Sequence, residues 1–275
     1  MMQFGDLSLK RCRHGWMLYT ETTSAGPYVG KCLDLYGQYS EGEVALFRAL
    51  LREGDTVIEV GANIGALTVP ISEIVGNKGR VYAIESHPGI FNVLCANLAL
   101  NGIENTRPLN NFVGAALDSA IGAIPAFVGE TWPVTALSLD SLELEACHFL
   151  KVDVDGSELE VFRSGEMQIE RFRPILYFEN EIHEKSVELL AFVMNTLGYD
   201  LYFHPAPLFE PANFFGNPVN HWAPSELVSM VILGVPRERK LSVGFKRITD
   251  PHDWWDFRVP LSAYLTPHDS PAGNL

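Results

Sequence analysis

Hydrophobic and polar positions alternate along this chain in two different rhythms, and the change between them marks its organisation. Residues 1–39 are rich in Gly, Thr and Tyr and show no helical period, so short strands or a loop-rich lead-in are expected there. Across 41–52, Val44, Ala45, Phe47, Leu50 and Leu51 recur at helical spacing and Gly54-Asp55 follows as a stop signal, which predicts an amphipathic helix. Short apolar strands separated by helices come next: strand 56–60, helix 64–75, strand 81–85 and helix 88–100, with Pro88 at the start and Gly102 past the end. A third strand is expected within 106–116, a hairpin arm at 121–128, a fourth strand at 149–154 with helix 157–164, and a fifth strand at 174–179 with helix 184–197. Strands at 199–203 and 227–235 lack a long helix between them, which predicts an antiparallel hairpin at one edge. The pattern is that of an α/β protein with a seven-stranded, mostly parallel sheet and helices on both faces. It divides the chain into an N-terminal extension at 1–40, a main domain at 41–240 and a C-terminal tail at 241–275 that packs as a flap or stays loose.

Composition narrows the partners. With 275 residues, 47% hydrophobic and 20% charged, the chain is a folding protein with one main domain. Twenty basic against thirty-four acidic residues give 20 − 34 = −14, a field that repels phosphate backbones and anionic lipid, so neither nucleic acid nor a membrane is expected as a partner. Cys12, Cys32, Cys95 and Cys147 form no C-x-x-C pair and read as reduced thiols. No apolar run approaches the roughly 20 residues of a bilayer span, and the first ten residues lack the apolar stretch of a signal peptide, so a cytoplasmic location is expected.

The strongest chemical signal is the segment Val57-Ile58-Glu59-Val60-Gly61-Ala62-Asn63-Ile64-Gly65. Ligands of open α/β sheets sit at the carboxyl ends of the strands, and glycines in the first strand-to-helix turn let backbone approach them. Glu85 ends the next strand, twenty residues beyond Gly65, where a carboxylate can accept from both hydroxyls of an adenosine ribose. A dinucleotide fingerprint needs glycine where this chain has Asn63, because a side chain there obstructs the pyrophosphate. S-adenosylmethionine has no pyrophosphate, and Glu59 suits its ammonium group. The turn therefore favours that cofactor, held by Glu59, Gly61, Asn63, Gly65, Glu85, Ser86 and Asp153. The plainer reading, in which Gly61 and Gly65 only make a tight turn, loses ground to the two acids at the strand ends.

These residues, together with Ala83-Ile84-Glu85, Ser138-Leu139-Asp140, Leu150-Lys151-Val152-Asp153-Val154-Asp155-Gly156-Ser157-Glu158 and Ile175-Leu176-Tyr177-Phe178-Glu179, make the chain resemble the FkbM-type methyltransferases across about 38–235. The resemblance implies a Rossmann-like, class I S-adenosylmethionine-dependent methyltransferase, commonly an O-methyltransferase of sugars or natural products. Two departures bear on acid placement and ribose-side packing. Asp155 stands where such proteins more often have Glu, and Ser86-His87 follows Glu85 where a proline often comes sooner.

Strand alternation predicts that Lys151, Asp153 and Asp155 share one face while Val152 and Val154 share the other. Asp155 or Ser157 capping the following helix, with Lys151 paired to a neighbouring acid, is the plainer alternative. Methyl transfer to a hydroxyl needs the acceptor positioned in line and its proton removed, and the candidate catalytic residues are Asp153, Glu179 and His183. Asp153, Glu179 and Asn180 are a candidate oxygen-ligand set for magnesium, by analogy with catechol O-methyltransferase. His87, His148, His204 and His221 are expected to be structural or solvent-facing. Tyr28, Tyr36, Tyr39, Trp132 and the aromatic stretch 202–222 are candidates for stacking on the acceptor. A hydroxyl of a small molecule or glycan is the expected acceptor; a protein methyltransferase and a cofactor-binding regulatory protein without turnover are the alternatives.

Overall fold

The computed structural model describes residues 7–20, 28–114, 121–125, 131–223, 227–256 and 258–265. The chain opens with an antiparallel hairpin, β1 (Ser8–Cys12) and β2 (Gly15–Tyr19), followed by helices α1 (Tyr28–Tyr36) and α2 (Glu41–Leu50). The main sheet is then laid down by β3 (Thr56–Val60), α3 (Thr68–Val75), β4 (Arg80–Ile84), α4 (Pro88–Leu100) and β5 (Thr106–Leu109). A small side sheet follows, in which β8 (Thr131–Leu137) lies between β6 (Asn111–Val113) and β7 (Ile121–Pro125). The main sheet resumes with β9 (Phe149–Val152), α5 (Glu158–Arg163), α6 (Glu166–Phe172), β10 (Ile175–Glu179) and α7 (His183–Ala191), and closes with β11 (Tyr199–Pro207), β12 (Val228–Pro236) and β13 (Arg247–Ile248).

The main sheet has the order β13-β11-β12-β10-β9-β3-β4-β5, with β5, β4, β3, β9 and β10 mutually parallel. This is the mostly parallel α/β sheet that the sequence predicts, with the two-residue β13 as an eighth strand. The expected terminal hairpin exists, but β12 inserts between β10 and β11 and runs antiparallel to both. Alternation assigns the two faces. Ile58, Val60, Leu150, Val152, Leu176 and Phe178 meet side chains of α5, α6 and α7. Val57, Val81, Phe149, Ile175 and Tyr177 face α2 and α3, and Ala83 packs on Leu94 and Leu98 of α4. Both faces are covered, and the strands accordingly read as near-continuous apolar runs.

Three expectations are corrected. The lead-in holds the short strands expected but also a helix that was not: Val29, Cys32, Leu33 and Tyr36 bury one side of α1. The first crossover helix begins at Thr68 rather than at residue 64, because Asn63 and Gly65 hold positive φ and keep the backbone out of the helical region. The helix after β10 gives way to a π turn at Phe192–Thr196. Beyond residue 240 the chain packs down as far as it is described: Trp255 and Tyr264 meet Phe203 edge-to-face at 4.6 and 5.3 Å, and the indole of Trp255 donates to the Asn180 carbonyl at 3.1 Å.

Candidate functional site

The carboxyl ends of β3, β4, β9 and β10 lie side by side, so the turns that leave them share one edge of the sheet. Gly61 leaves β3 at φ +85, and a Cβ built there would fall 1.7 Å from the carbonyl oxygen of Asp153. The glycine is therefore required by the neighbouring strand end, which presses its backbone into the turn. Asn63 takes φ +50, a conformation asparagine tolerates better than most residues, and its side-chain oxygen accepts from the Ile64 amide at 2.7 Å.

Glu85, just past β4, is 8% exposed and accepts from the amides of Asn63 at 3.0 Å and His87 at 2.8 Å. Those two bonds aim the carboxylate at the turn. Burial outweighs them and lifts its pKa to about 7, with Asp155 and Asp153 adding to the rise. Asn110 ties down the carbonyls of Glu85 at 2.8 Å and Ser86 at 3.1 Å. His87 starts α4, its ring nitrogen accepting from the amides of Gly89 and Ile90, so it is a helix cap. His148 and His204 are likewise engaged internally, by the Thr56 amide and the Tyr177 hydroxyl.

Beneath the turn lies a buried charged cluster. Glu59 and Lys151 are cross-strand neighbours on β3 and β9, and the ammonium group stands 3.8 Å from Glu59 and 3.0 Å from Asp153. Glu59 also accepts from the Thr68 hydroxyl at 2.6 Å. It is 1% exposed, so its cationic partner here is Lys151 and it supports the turn from below. Burial raises Glu59 to about 7 against the opposing pull of Lys151. Burial works against the charge of Lys151, but Asp153, Glu59 and Glu43 outweigh it and hold the lysine above its ordinary value.

Asp153 keeps the alternation predicted for it and projects beside Lys151. Asp155 does not, because β9 ends at Val152 and Asp155 sits at φ +51. Ser157 stands at the N-terminus of α5 without a side-chain capping bond, and Glu158 in the first turn reaches back to accept the loop amides of Val154 and Gly156 at 3.2 and 3.0 Å. One carboxylate oxygen from each of Asp155, Glu179 and Glu181 lies within 4.8 Å of the others. Burial, then the charges of Asp153, Glu181, Glu158 and Asp155, push Glu179 well above the ordinary glutamate range. Asn180, the next residue, is held by its own contacts. It is 3% exposed and its amide nitrogen donates to the Ser186 hydroxyl at 3.0 Å.

His183 opens α7 on the surface, its ring edge-on to Trp254 at 5.0 Å. Among the aromatic candidates, Tyr36 is fully buried, whereas Tyr28 is 46% exposed and meets Trp222 edge-on at 5.8 Å. The side chain of Trp132 lies outside what is described.

A parallel sheet with this order, a glycine turn after its central strand and an acid ending the adjacent strand define the class I S-adenosylmethionine methyltransferase fold. The model of the methyltransferase FkbM domain matches residues 59–201, just over half of the chain, and the protein belongs to that family. Over 78 residues it is 36% identical to a probable cobalt-precorrin-6B C(15)-methyltransferase (decarboxylating) of Saccharolobus solfataricus, a match spanning 28% of this chain and 39% of that protein. Over 57 residues it is 37% identical to the tRNA(Phe) (4-demethylwyosine(37)-C(7)) aminocarboxypropyltransferase of Methanocaldococcus jannaschii, spanning 21% of this chain and 22% of the other. The matches thus reach well under half the length of either relative. Among solved structures, the methyltransferase FkbM of Methylobacillus flagellatus superposes with a TM-score of 0.48 at 17% identity, covering 68% of this chain and 45% of that one.

Proposed function

We propose that the protein binds S-adenosylmethionine over the turn between β3 and α3 and transfers its methyl group to a hydroxyl of a sugar, glycan or natural-product small molecule. The observation that carries this reading is the Glu85 carboxylate, fixed by two backbone amides at the edge of the glycine turn, where it can take the hydroxyls of an adenosine ribose. Asn63 occupies the position that a pyrophosphate needs empty, which favours the sulfonium cofactor over a dinucleotide.

In the reaction the acceptor oxygen attacks the methyl carbon, the carbon–sulfur bond breaks with its electron pair going to sulfur, and the hydroxyl proton passes to a base. Asp153 and Glu179 belong to the acidic edge that borders the turn, and the Lys151 ammonium fixes Asp153 at 3.0 Å. These two and His183 are the candidate bases, each expected to add on the order of 10² to 10⁴ in rate if it serves. The relatives matched over parts of this chain are named for different group transfers, so the acceptor is inferred from this chain's own acidic edge and charge of −14, which disfavour a polyanion.

A screen with radiolabelled methyl donor over hydroxylated small molecules, glycans and cell extracts tests this reading. Label in an acid-stable methyl ether supports it. Label on carbon, nitrogen, RNA or protein would overturn the O-methyl assignment, and cofactor binding with no transfer at all would replace turnover by a regulatory role.

A further inference from the structure

We propose that Asp155, Glu179 and Glu181 form a binding site for a hard divalent cation of the magnesium, manganese and calcium type. The three side chains come from two neighbouring segments, the turn after β9 and the end of β10, and each contributes an oxygen to a group no more than 4.8 Å across. That limit is about twice a calcium–oxygen bond of roughly 2.3–2.6 Å, so one ion can reach all three with little adjustment. Carboxylates without histidine or thiolate are the ligand type that suits magnesium, calcium and manganese.

A second observation, independent of the clustering, points to a missing ligand. Oε2 of Glu179 is sealed from solvent and has no hydrogen-bond partner among the described residues. Native structures satisfy buried polar atoms with few exceptions, and each exception calls for an explanation. Protein cations do not supply it: Lys151 is engaged by Asp153 and Glu59, and Lys185 donates to the Gly156 carbonyl at 2.6 Å. The surroundings of Glu179 are instead acidic, with Asp153, Glu158, Asp155 and Glu181 all close enough to act on it. A divalent ion would give the orphaned oxygen a partner and neutralise the repulsion in one step. Its role would be to hold the acceptor oxygen and ease loss of its proton, a role that rests on the methyl-transfer reading although occupancy of the site does not.

Manganese is the probe, because binding removes the electron paramagnetic resonance signal of the free aqueous ion. Titrated into the full chain with S-adenosylhomocysteine present, Mn²⁺ is expected to bind at one site per chain and to be displaced by excess Mg²⁺ or Ca²⁺. Glu181→Gln and Asp155→Asn, both at exposed positions, should each weaken binding at least tenfold, while Glu53→Gln, far along the chain on the surface, should not. An undiminished free-ion signal with the wild-type protein would overturn the site, as would binding indifferent to both substitutions. Calorimetry of S-adenosylhomocysteine on the same samples separates the two ideas: retained cofactor binding without Mn²⁺ binding sinks the cation site alone.

Discussion

The contact between Gly61 and Asp153 offers a sharp physical test of how the turn is built. Gly61→Ala adds a Cβ 1.7 Å from the carbonyl oxygen and 2.8 Å from the carbonyl carbon of Asp153, both backbone atoms that cannot swing aside. Two costs add. Holding alanine in a left-handed conformation costs about 1–2 kcal/mol, and forcing apart the two strand ends costs about 1–3 kcal/mol more, the usual range for overpacking. Gly54 supplies the control, because it has φ +95 but no atom within 4 Å of an added Cβ, so Gly54→Ala carries the conformational cost alone. Urea unfolding followed by circular dichroism and by fluorescence should place Gly61→Ala below Gly54→Ala by about 1–3 kcal/mol. Because the shift moves Asp153 away from the turn, affinity for S-adenosylhomocysteine should fall in the first variant and hold in the second. Equal destabilisation of the two variants would refute the claim that the end of β9 presses on this glycine.

Further expectations concern the charged groups. Glu85→Ala should weaken S-adenosylhomocysteine binding by about 1–3 kcal/mol, the loss of charged hydrogen bonds, measured by calorimetry; unchanged affinity would remove Glu85 from the ribose site. Glu85 and Glu59 reach about 7 in the folded chain against 4.5 for ordinary glutamate. Between those values the folded state holds more protons than the unfolded one, so the free protein should lose stability as pH rises from about 4.5 to about 7, read from denaturation midpoints across that range. Ribose hydroxyls favour ionised Glu85, so cofactor binding should release a proton near neutrality, seen as buffer-dependent binding heat that Glu85→Gln abolishes. Lys151→Met leaves Glu59 facing a buried site without its cation and should cost about 3–5 kcal/mol of stability. A variant as stable as the parent would show that the lysine is not neutralising that acid.

Much of the parallel core is written in local pattern. The apolar runs at β3, β4, β9 and β10 and the helix Pro88–Leu100 are recognisable without knowledge of the fold, because strands buried on both faces need continuous apolar side chains. Helix α1 carries a sound period in Val29, Cys32, Leu33 and Tyr36, but its nine residues vanish in a window that also takes in the glycines and threonines before it. Helix α6 buries only Ile169 among its residues and so offers little apolar period to read. In the site, Glu85 and Lys151 follow from position and alternation. The rest depends on contacts between distant segments: Gly61 answers to Asp153, and Asn180 is drawn inward by Ser186 and Trp255. Asp155 is freed to meet Glu179 and Glu181 only because β9 stops at Val152, an ending that alternation alone does not disclose.

The central claim is that the β3 turn and Glu85 seat an adenosyl sulfonium rather than a diphosphate. Competitive calorimetric titration of the wild-type chain with S-adenosylhomocysteine and with NAD tests it most directly. The account predicts saturable one-site binding of the first, undisturbed by the second and weakened in Glu85→Ala. Saturable NAD binding with no heat from S-adenosylhomocysteine would contradict it.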